Sequence, residues 1–297
     1  MNKLSSNTIY VVVTISIILA LGSFATDIYV PALPLMKLEY NTHIELVQAS
    51  LSAFFMTLGI TQLLAGPFIQ TLGLYKTTRF SLYLYMIACL LCFFATNLTY
   101  LIIARIFQGF ASGLLAVIGK SYITTYYDKE TAAKLFLYIL PIVILSPGIA
   151  PIIGSIVTIY ISWKTTFLVS FLFGVIAFIL GTKLPMAASD VEQKQNTLNT
   201  IVESYLSVLK NKLFLGYVGI TSATYIIYFT YIAQTPFIFH ANNYSIAFIG
   251  KAYLPLAIFY LIGSRLTRKL MITYNLQYII RVLLLILFLA TVVFIIF

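Results

Sequence analysis

Apolar residues run along this chain in nine blocks, at roughly 8–31, 46–69, 79–97, 98–120, 135–160, 163–184, 213–237, 245–264 and 278–297, joined by short polar links. A helix needs about 20 apolar residues to cross the hydrocarbon core of a bilayer. The pattern therefore predicts an all-α polytopic membrane protein, whose function rests on the few polar groups tolerated at membrane depth. The first block does not read as a cleavable leader. It is longer than a typical leader core and ends not in a small-x-small site but in Asp27 and Tyr29-Val30-Pro31-Ala32-Leu33-Pro34.

The longest polar break, Pro185 to Lys212, contains Asp190, Glu192, Lys194, Gln195 and Glu203 and divides the blocks six and three. It sets the expected organisation: 1–184, a linker over 185–212, and 213–297. Cytoplasmic loops of membrane proteins collect Lys and Arg. With the N-terminus inside, the inner segments hold fourteen such residues (Lys3, Lys76, Arg79, Lys120, Lys129, Lys134, Lys183, Lys194, Lys210, Lys212, Arg265, Arg268, Lys269 and Arg281), and the outer ones hold only Lys37 and Lys164. The count predicts a cytoplasmic N-terminus and a cytoplasmic linker. A faint repeat, glycine followed by basic residues, recurs after the second and eighth blocks (Gly66, Gly73, Lys76 and Arg79; Gly263, Arg265, Arg268 and Lys269). It is equally the look of a duplicated transporter unit and of any tight inner loop.

The 297 residues are 61% hydrophobic and 9% charged, against about 25% charged in soluble domains. The net charge of +10 is what the loop bias requires, so no nucleic-acid partner is inferred; the expected partner is the lipid bilayer. Cys89 and Cys92 form a C-x-x-C pair inside an apolar run with no basic neighbour to activate a thiol, which reads as small apolar membrane residues. No nucleophile–base pair, phosphate loop or metal-ligand cluster is visible, so no enzyme, no cofactor and no metal is expected.

Asp27 is the acidic residue placed inside a block, and Arg105 lies inside the fourth at similar depth. An intramembrane charge is costly unless paired, protonated or wetted. The two are candidates for an ion pair or for an Asp proton site biased by Arg, with a purely structural pair as the alternative. Gln108 follows Arg105 on the same helix face, and Gly109 and Gly113 make a small-residue step for close helix packing. Pro147, Gly148, Pro151 and Gly154 crowd the fifth block and predict a hinged, tightly packed or statically kinked helix. Tyr225, Tyr228 and Tyr231 recur every three residues, either as cavity aromatics for a flat or cationic ligand or as ordinary packing.

Taken together, these segments resemble the bicyclomycin-resistance group of drug-efflux transporters in the major facilitator superfamily. Thr26-Asp27-Ile28-Tyr29-Val30-Pro31-Ala32-Leu33-Pro34 is similar to that group's first-helix signature, and Gly66-Pro67 with Gly73 to its loop 2–3 motif. Ala104-Arg105-Ile106-Phe107-Gln108-Gly109 resembles the fourth-helix motif, Pro147 to Gly154 the antiporter motif of helix 5, and Phe214 to Lys269 helices 7 and 8.

The resemblance implies a major facilitator fold, with a complete N-terminal six-helix bundle and three helices of a second one, and alternating access driven by protons. It makes Asp27 the proton or substrate carboxylate, Arg105 its coupling partner, and Tyr29 a cavity aromatic. Gly66, Gly73, Lys76 and Arg79 then form an inner gate loop. The expected function is proton-coupled efflux of small drug-like molecules across the bacterial inner membrane. The loop motif departs from the family pattern at Gln70, Thr71, Leu74, Tyr75 and Lys76. Nine spans against the family's twelve also lead to an expected C-terminal shortening, and so to an alternative: a transport-inactive remnant or a membrane interaction subunit.

Overall fold

The computed structural model describes residues 6–185 and 198–296. Lys3, Phe297 and most of the polar break, with Asp190, Glu192, Lys194 and Gln195, lie outside them. The described residues form thirteen α-helices and no strand. These are α1 (Ser6–Asp27), α2 (Leu33–Glu39), α3 (Ile44–Leu72), α4 (Leu74–Phe93), α5 (Leu98–Tyr126), α6 (Lys129–Ile144) and α7 (Ser146–Tyr160). They continue with α8 (Thr165–Gly181), α9 (Leu198–Leu209), α10 (Lys212–Ala241), α11 (Ile246–Lys251), α12 (Leu254–Leu270) and α13 (Leu276–Ile296).

Prolines set several of these boundaries. Pro31 and Pro34 separate α1 from α2 through a short 3₁₀ turn, Val30–Ala32, because proline supplies no backbone N–H to the helix before it. The chain nevertheless stays helical to Glu39, so the first span reaches eight residues beyond the predicted end at 31. Prolines also sit in the first turns of α7 and α12, where their missing N–H costs nothing. Each of these helices therefore joins its predecessor as one broken span, Lys129–Tyr160 and Ile246–Leu270.

Among the described residues, six helical runs are long and apolar enough to cross a membrane. The other three predicted blocks map onto α4, which carries Lys76 and Arg79 in its first turns, the 17-residue α8, and α13. Inside the predicted linker lies α9, a helix that no apolar block announced.

Side-chain caps hold the helix starts. The carboxylate of Asp128 accepts from the amides of Glu130 and Thr131, both at 3.1 Å. The Asn97 side chain accepts from Tyr100 N, and that of Asn211 from Leu213 N and Phe214 N. Each such cap is worth about 1 kcal/mol. The hydroxyl and amide of Thr131 hold the exposed Asp128 carboxyl below the usual carboxylate range.

The core has two main clusters. One joins α1, α4, α5, α6 and α8 through Ile15, Ile18, Leu82, Leu114, Leu115, Ile118, Leu135, Ile139 and Ala177. The other gathers Tyr29, Leu33 and Met36 with Leu51, Trp163 and Phe167, and takes in Ile232 and Phe237 of α10, Ile249 of α11 and Tyr253. Outside these clusters, large apolar side chains such as Leu63, Ile87, Leu91 and Ile103 point outward. Contiguous exposed apolar surface on this scale fits a lipid solvent.

Close helix contacts depend on glycine. Gly109 and Gly113 of α5 lie against the backbone of Phe54 and Leu58 in α3. A Cβ at 113 would stand 2.6 Å from the Leu58 carbonyl, so the small-residue step is a packing seam.

Candidate functional site

Asp27 ends α1 and is buried, and its Oδ2 has no hydrogen-bond partner among the described residues. Arg105, in α5, is 0% exposed. Its guanidinium lies over two aromatic rings, 4.6 Å from the centroid of Tyr29 and 4.2 Å from that of Phe54. Its Nη1 donates to the Ala25 carbonyl at 3.1 Å and to Gln108 Oε1 at 2.5 Å. Nε and Nη2 have no partner among the described residues.

Of the alternatives for these two residues, a closed ion pair does not form. Arg105 is within electrostatic range of Asp27, but the ion pairs among the described residues are Lys134–Glu130 and Lys164–Glu39. The physical reason is the end of α1. A helix's last carbonyls lack intrahelical donors and carry the negative end of its dipole. The last turn of α1 contains no basic residue. Arg105 supplies that cation from α5, and the aromatic sandwich with Gln108 keeps it there. The carboxyl and the guanidinium therefore share a buried neighbourhood while each keeps unpartnered polar atoms.

Gln108 is held from a third helix. Its Nε2 donates to Cys89 Sγ at 3.1 Å, and the Cys92 thiol faces its Oε1 at 3.9 Å. The two cysteines are buried and free. They are not merely apolar filler, since their sulfurs line the seat of the Gln108 amide.

The turn that follows Asp27 packs on the second half of the chain, with Tyr29 and Val30 in one cluster with Ile232, Ile249 and Tyr253. Tyr228 of α10 and Tyr253, at the start of α12, both lie in the electrostatic field of Asp27. Tyr228 is half-buried and Tyr253 is buried, with its hydroxyl donating to the Ile232 carbonyl at 3.4 Å. Tyr231 sets its ring edge against Tyr253 at 6.1 Å, while Tyr225 stacks on Phe229 at 5.7 Å and is 54% exposed. The predicted stripe thus divides: Tyr228 and Tyr231 turn toward the Tyr253 neighbourhood, and Tyr225 lies outside it. Tyr29, the remaining candidate aromatic, is bonded to Ser50 at 3.2 Å and is occupied by Arg105.

Three glycine contacts, two from α7 and one from α11, join α7 to different partners. Gly154 meets the Ile28 backbone just past Asp27, and a Cβ at Gly148 would stand 2.5 Å from Ala257 Cβ of α12. Gly250 of α11 lies against Pro151 O and Ser155. Of the three expectations for this segment, the structure has both a break, at Leu145–Ser146, and tight packing on both halves.

In the turn between α3 and α4, Gly73 adopts φ +78°, a conformation open to glycine. Arg79 Nη1 donates to the Tyr75 hydroxyl at 2.7 Å, and Lys76 is exposed. Neither forms an ion pair with an acid among the described residues. No group of three His, Cys, Asp or Glu capable of holding a metal occurs among the described residues.

Tyr253, Gln48 and Tyr205 escaped the sequence reading. Gln48 Nε2 reaches across from α3 to the Ala233 carbonyl at 2.9 Å. The Tyr205 hydroxyl of α9 donates to the Leu63 carbonyl of α3. One signal was available: a proline inside a helix strips the carbonyl four residues earlier of its donor, which marks Leu63 (Pro67) and Ile232 (Pro236) as acceptors in need of a partner.

Comparison with known proteins gives the family. Residues 15–297 match the model described as "Major Facilitator Superfamily". The chain is 26% identical over 222 residues to an uncharacterized transporter of Bacillus subtilis, YdgK, covering 74% of this chain and 55% of that protein. It is 25% identical over 218 residues to the multidrug resistance protein MdtM of Escherichia coli K12 (72% and 52%). It is also 25% identical over 229 residues to a bicyclomycin resistance protein homolog of Haemophilus influenzae (76% and 56%). The chain thus spans about half the length of the curated relatives it matches. Among solved structures, a D-xylose-proton symporter superposes with a TM-score of 0.68 at 12% identity, covering 91% of this chain and 70% of its own. That likeness shows the fold.

Proposed function

This chain belongs to the Major Facilitator Superfamily, a family of multi-pass membrane transporters rather than enzymes, and from that premise we propose that it exports drug-like small molecules across the bacterial inner membrane in exchange for protons. The observation that carries the reading is Asp27: a buried carboxyl with an unpartnered oxygen, near enough to Tyr228 and Tyr253 of the second half for its charge to act on them, with the Arg105 guanidinium engaged elsewhere. Such a group changes protonation when its surroundings alternate between dry and wet. A proton or a cationic substrate can neutralise it, one in place of the other, which is the requirement for exchange. The faces of Tyr228 and Tyr231 offer π surface to a flat or cationic ligand. In the same reading 1–184 and 213–297 are the two moving units, 185–212 is the cytoplasmic connection, and the N-terminus is cytoplasmic.

The test is efflux by this chain in proteoliposomes. With a pH gradient imposed, a lipophilic cationic dye is expected to move against its own gradient, and a protonophore is expected to stop it. Dye movement indifferent to the pH gradient removes the exchange reading.

In this scheme Arg105 positions the end of α1. Arg105→Lys keeps a cation near Ala25 O and Gln108, whereas Arg105→Ala strands both acceptors and opens a hole between Tyr29 and Phe54. Leaving a buried neutral acceptor without its donor costs about 1–3 kcal/mol, and the hole adds to it. Transport should be highest in the wild type, lower in Arg105→Lys and lowest in Arg105→Ala, when rates are normalised to folded protein. Equal, near-normal rates in both variants would demote Arg105 to scaffolding.

A further inference from the structure

We propose that Tyr205 and the Gly66-Pro67 pair form a releasable latch that fastens the connecting helix α9 to α3. Pro67 lies inside α3 and has no N–H for the Leu63 carbonyl. A backbone carbonyl without an intrahelical donor takes its hydrogen bond from a side chain or from solvent. The Tyr205 hydroxyl, 142 residues away in sequence, donates to that same oxygen. Gly66 borders the approach: a Cβ there would stand at an ordinary 4.0 Å from the Tyr205 hydroxyl, and a longer side chain would reach into its path. The motif singled out as Gly66-Pro67 thus makes a docking notch: the proline frees the acceptor and the glycine leaves room for the donor.

The same arrangement occurs a second time in this chain. Pro236 inside α10 withholds an N–H from Ile232, whose carbonyl accepts the Tyr253 hydroxyl. The two sites differ in access. Tyr253 is 1% exposed, so its bond is sealed within the core. Tyr205 is 42% exposed, so water or a lipid headgroup can take over either partner and the bond can open. Only Lys210 and Asn211 separate α9 from α10. Any displacement of α3 relative to α10 must therefore carry α9 along or break the bond. The latch couples the linker to one half of the molecule whatever substrate moves, and it does not depend on the chemistry of Asp27.

Hydrogen-exchange mass spectrometry on the full chain in lipid nanodiscs tests this. Tyr205→Phe removes one oxygen from a half-exposed ring and leaves the packing of α3 intact. It should speed exchange across 198–209 by about 3- to 10-fold, the loss of one hydrogen bond. Gly66→Leu, which blocks the approach, should do the same. Pro67→Ala returns an N–H to Leu63, so in that background Tyr205→Phe should change exchange by less than about twofold. Trypsin cleavage after Lys210 should accelerate in parallel in the Tyr205→Phe chain. Two results would overturn the latch. One is unchanged exchange and cleavage in both the Tyr205→Phe and the Gly66→Leu chains. The other is a Tyr205→Phe effect of equal size with and without Pro67→Ala.

Discussion

Asp27→Asn is expected to reduce drug-dependent proton release from proteoliposomes to the level of protein-free vesicles. Asparagine has the size and shape of the carboxyl it replaces but cannot take or give up a proton near neutral pH. Stability should move the other way. Asp27 is 4% exposed with an oxygen that finds no donor among the described residues, and burying an unpaired charge or acceptor is costly. The Asp27→Asn chain should therefore melt at the same temperature as the wild type or higher, measured in the same detergent. That combination, lost coupling with retained stability, separates a functional carboxyl from a structural one. Undiminished proton release in the Asp27→Asn chain would remove the residue from the mechanism. A sharply lowered melting temperature would make it a structural acid instead.

Gly154→Ala should be the most damaging single-methyl change along α7. A Cβ built at Gly154 lands on the backbone carbonyl of Ile28, in the segment where α1 has ended and the 3₁₀ turn has not begun. A side chain can rotate away from such a methyl, but a carbonyl tied into the chain cannot. Overpacking of this kind costs about 1–3 kcal/mol, sometimes more. The displaced segment directly follows Asp27, so transport should fall together with melting temperature. Gly219→Ala is the control. It lies inside α10 with nothing within 4 Å of its Cβ position, and alanine there should be neutral or slightly stabilising. Identical melting of the Gly154→Ala and Gly219→Ala chains would show that α7 does not press on α1.

The span pattern was legible because bilayer thickness imposes a length on every crossing helix. The prolines were legible too, as places where helices break. What they led to was not: the chain after Pro31 and Pro34 resumes a helix to Glu39, and α9 appears within a segment that composition alone marks as a connection. Short helices carry too little hydrophobic signal to stand out beside a membrane block. At the site, Asp27, Arg105 and Gln108 were visible as residues too polar for their surroundings. Their partners were not, because each partner is a group with an ordinary local appearance: the Ala25 carbonyl, two thiols, and the rings of Tyr29 and Phe54.

The amino-acid sequence alone determined the membrane environment, the helical class, the places where helices must break, and which side chains are expensive enough at depth to need a reason. Those properties follow from transfer free energies and backbone chemistry, which act residue by residue. Only the tertiary structure decided that Arg105 caps the end of α1 instead of pairing with Asp27, that α7 presses on α1, α11 and α12 through three separate glycine contacts, and that Tyr205 and Tyr253 answer the carbonyls two prolines leave bare. Each of these joins groups far apart along the chain. Which donor meets which acceptor depends on how helices cross, and that is settled by packing all of them at once.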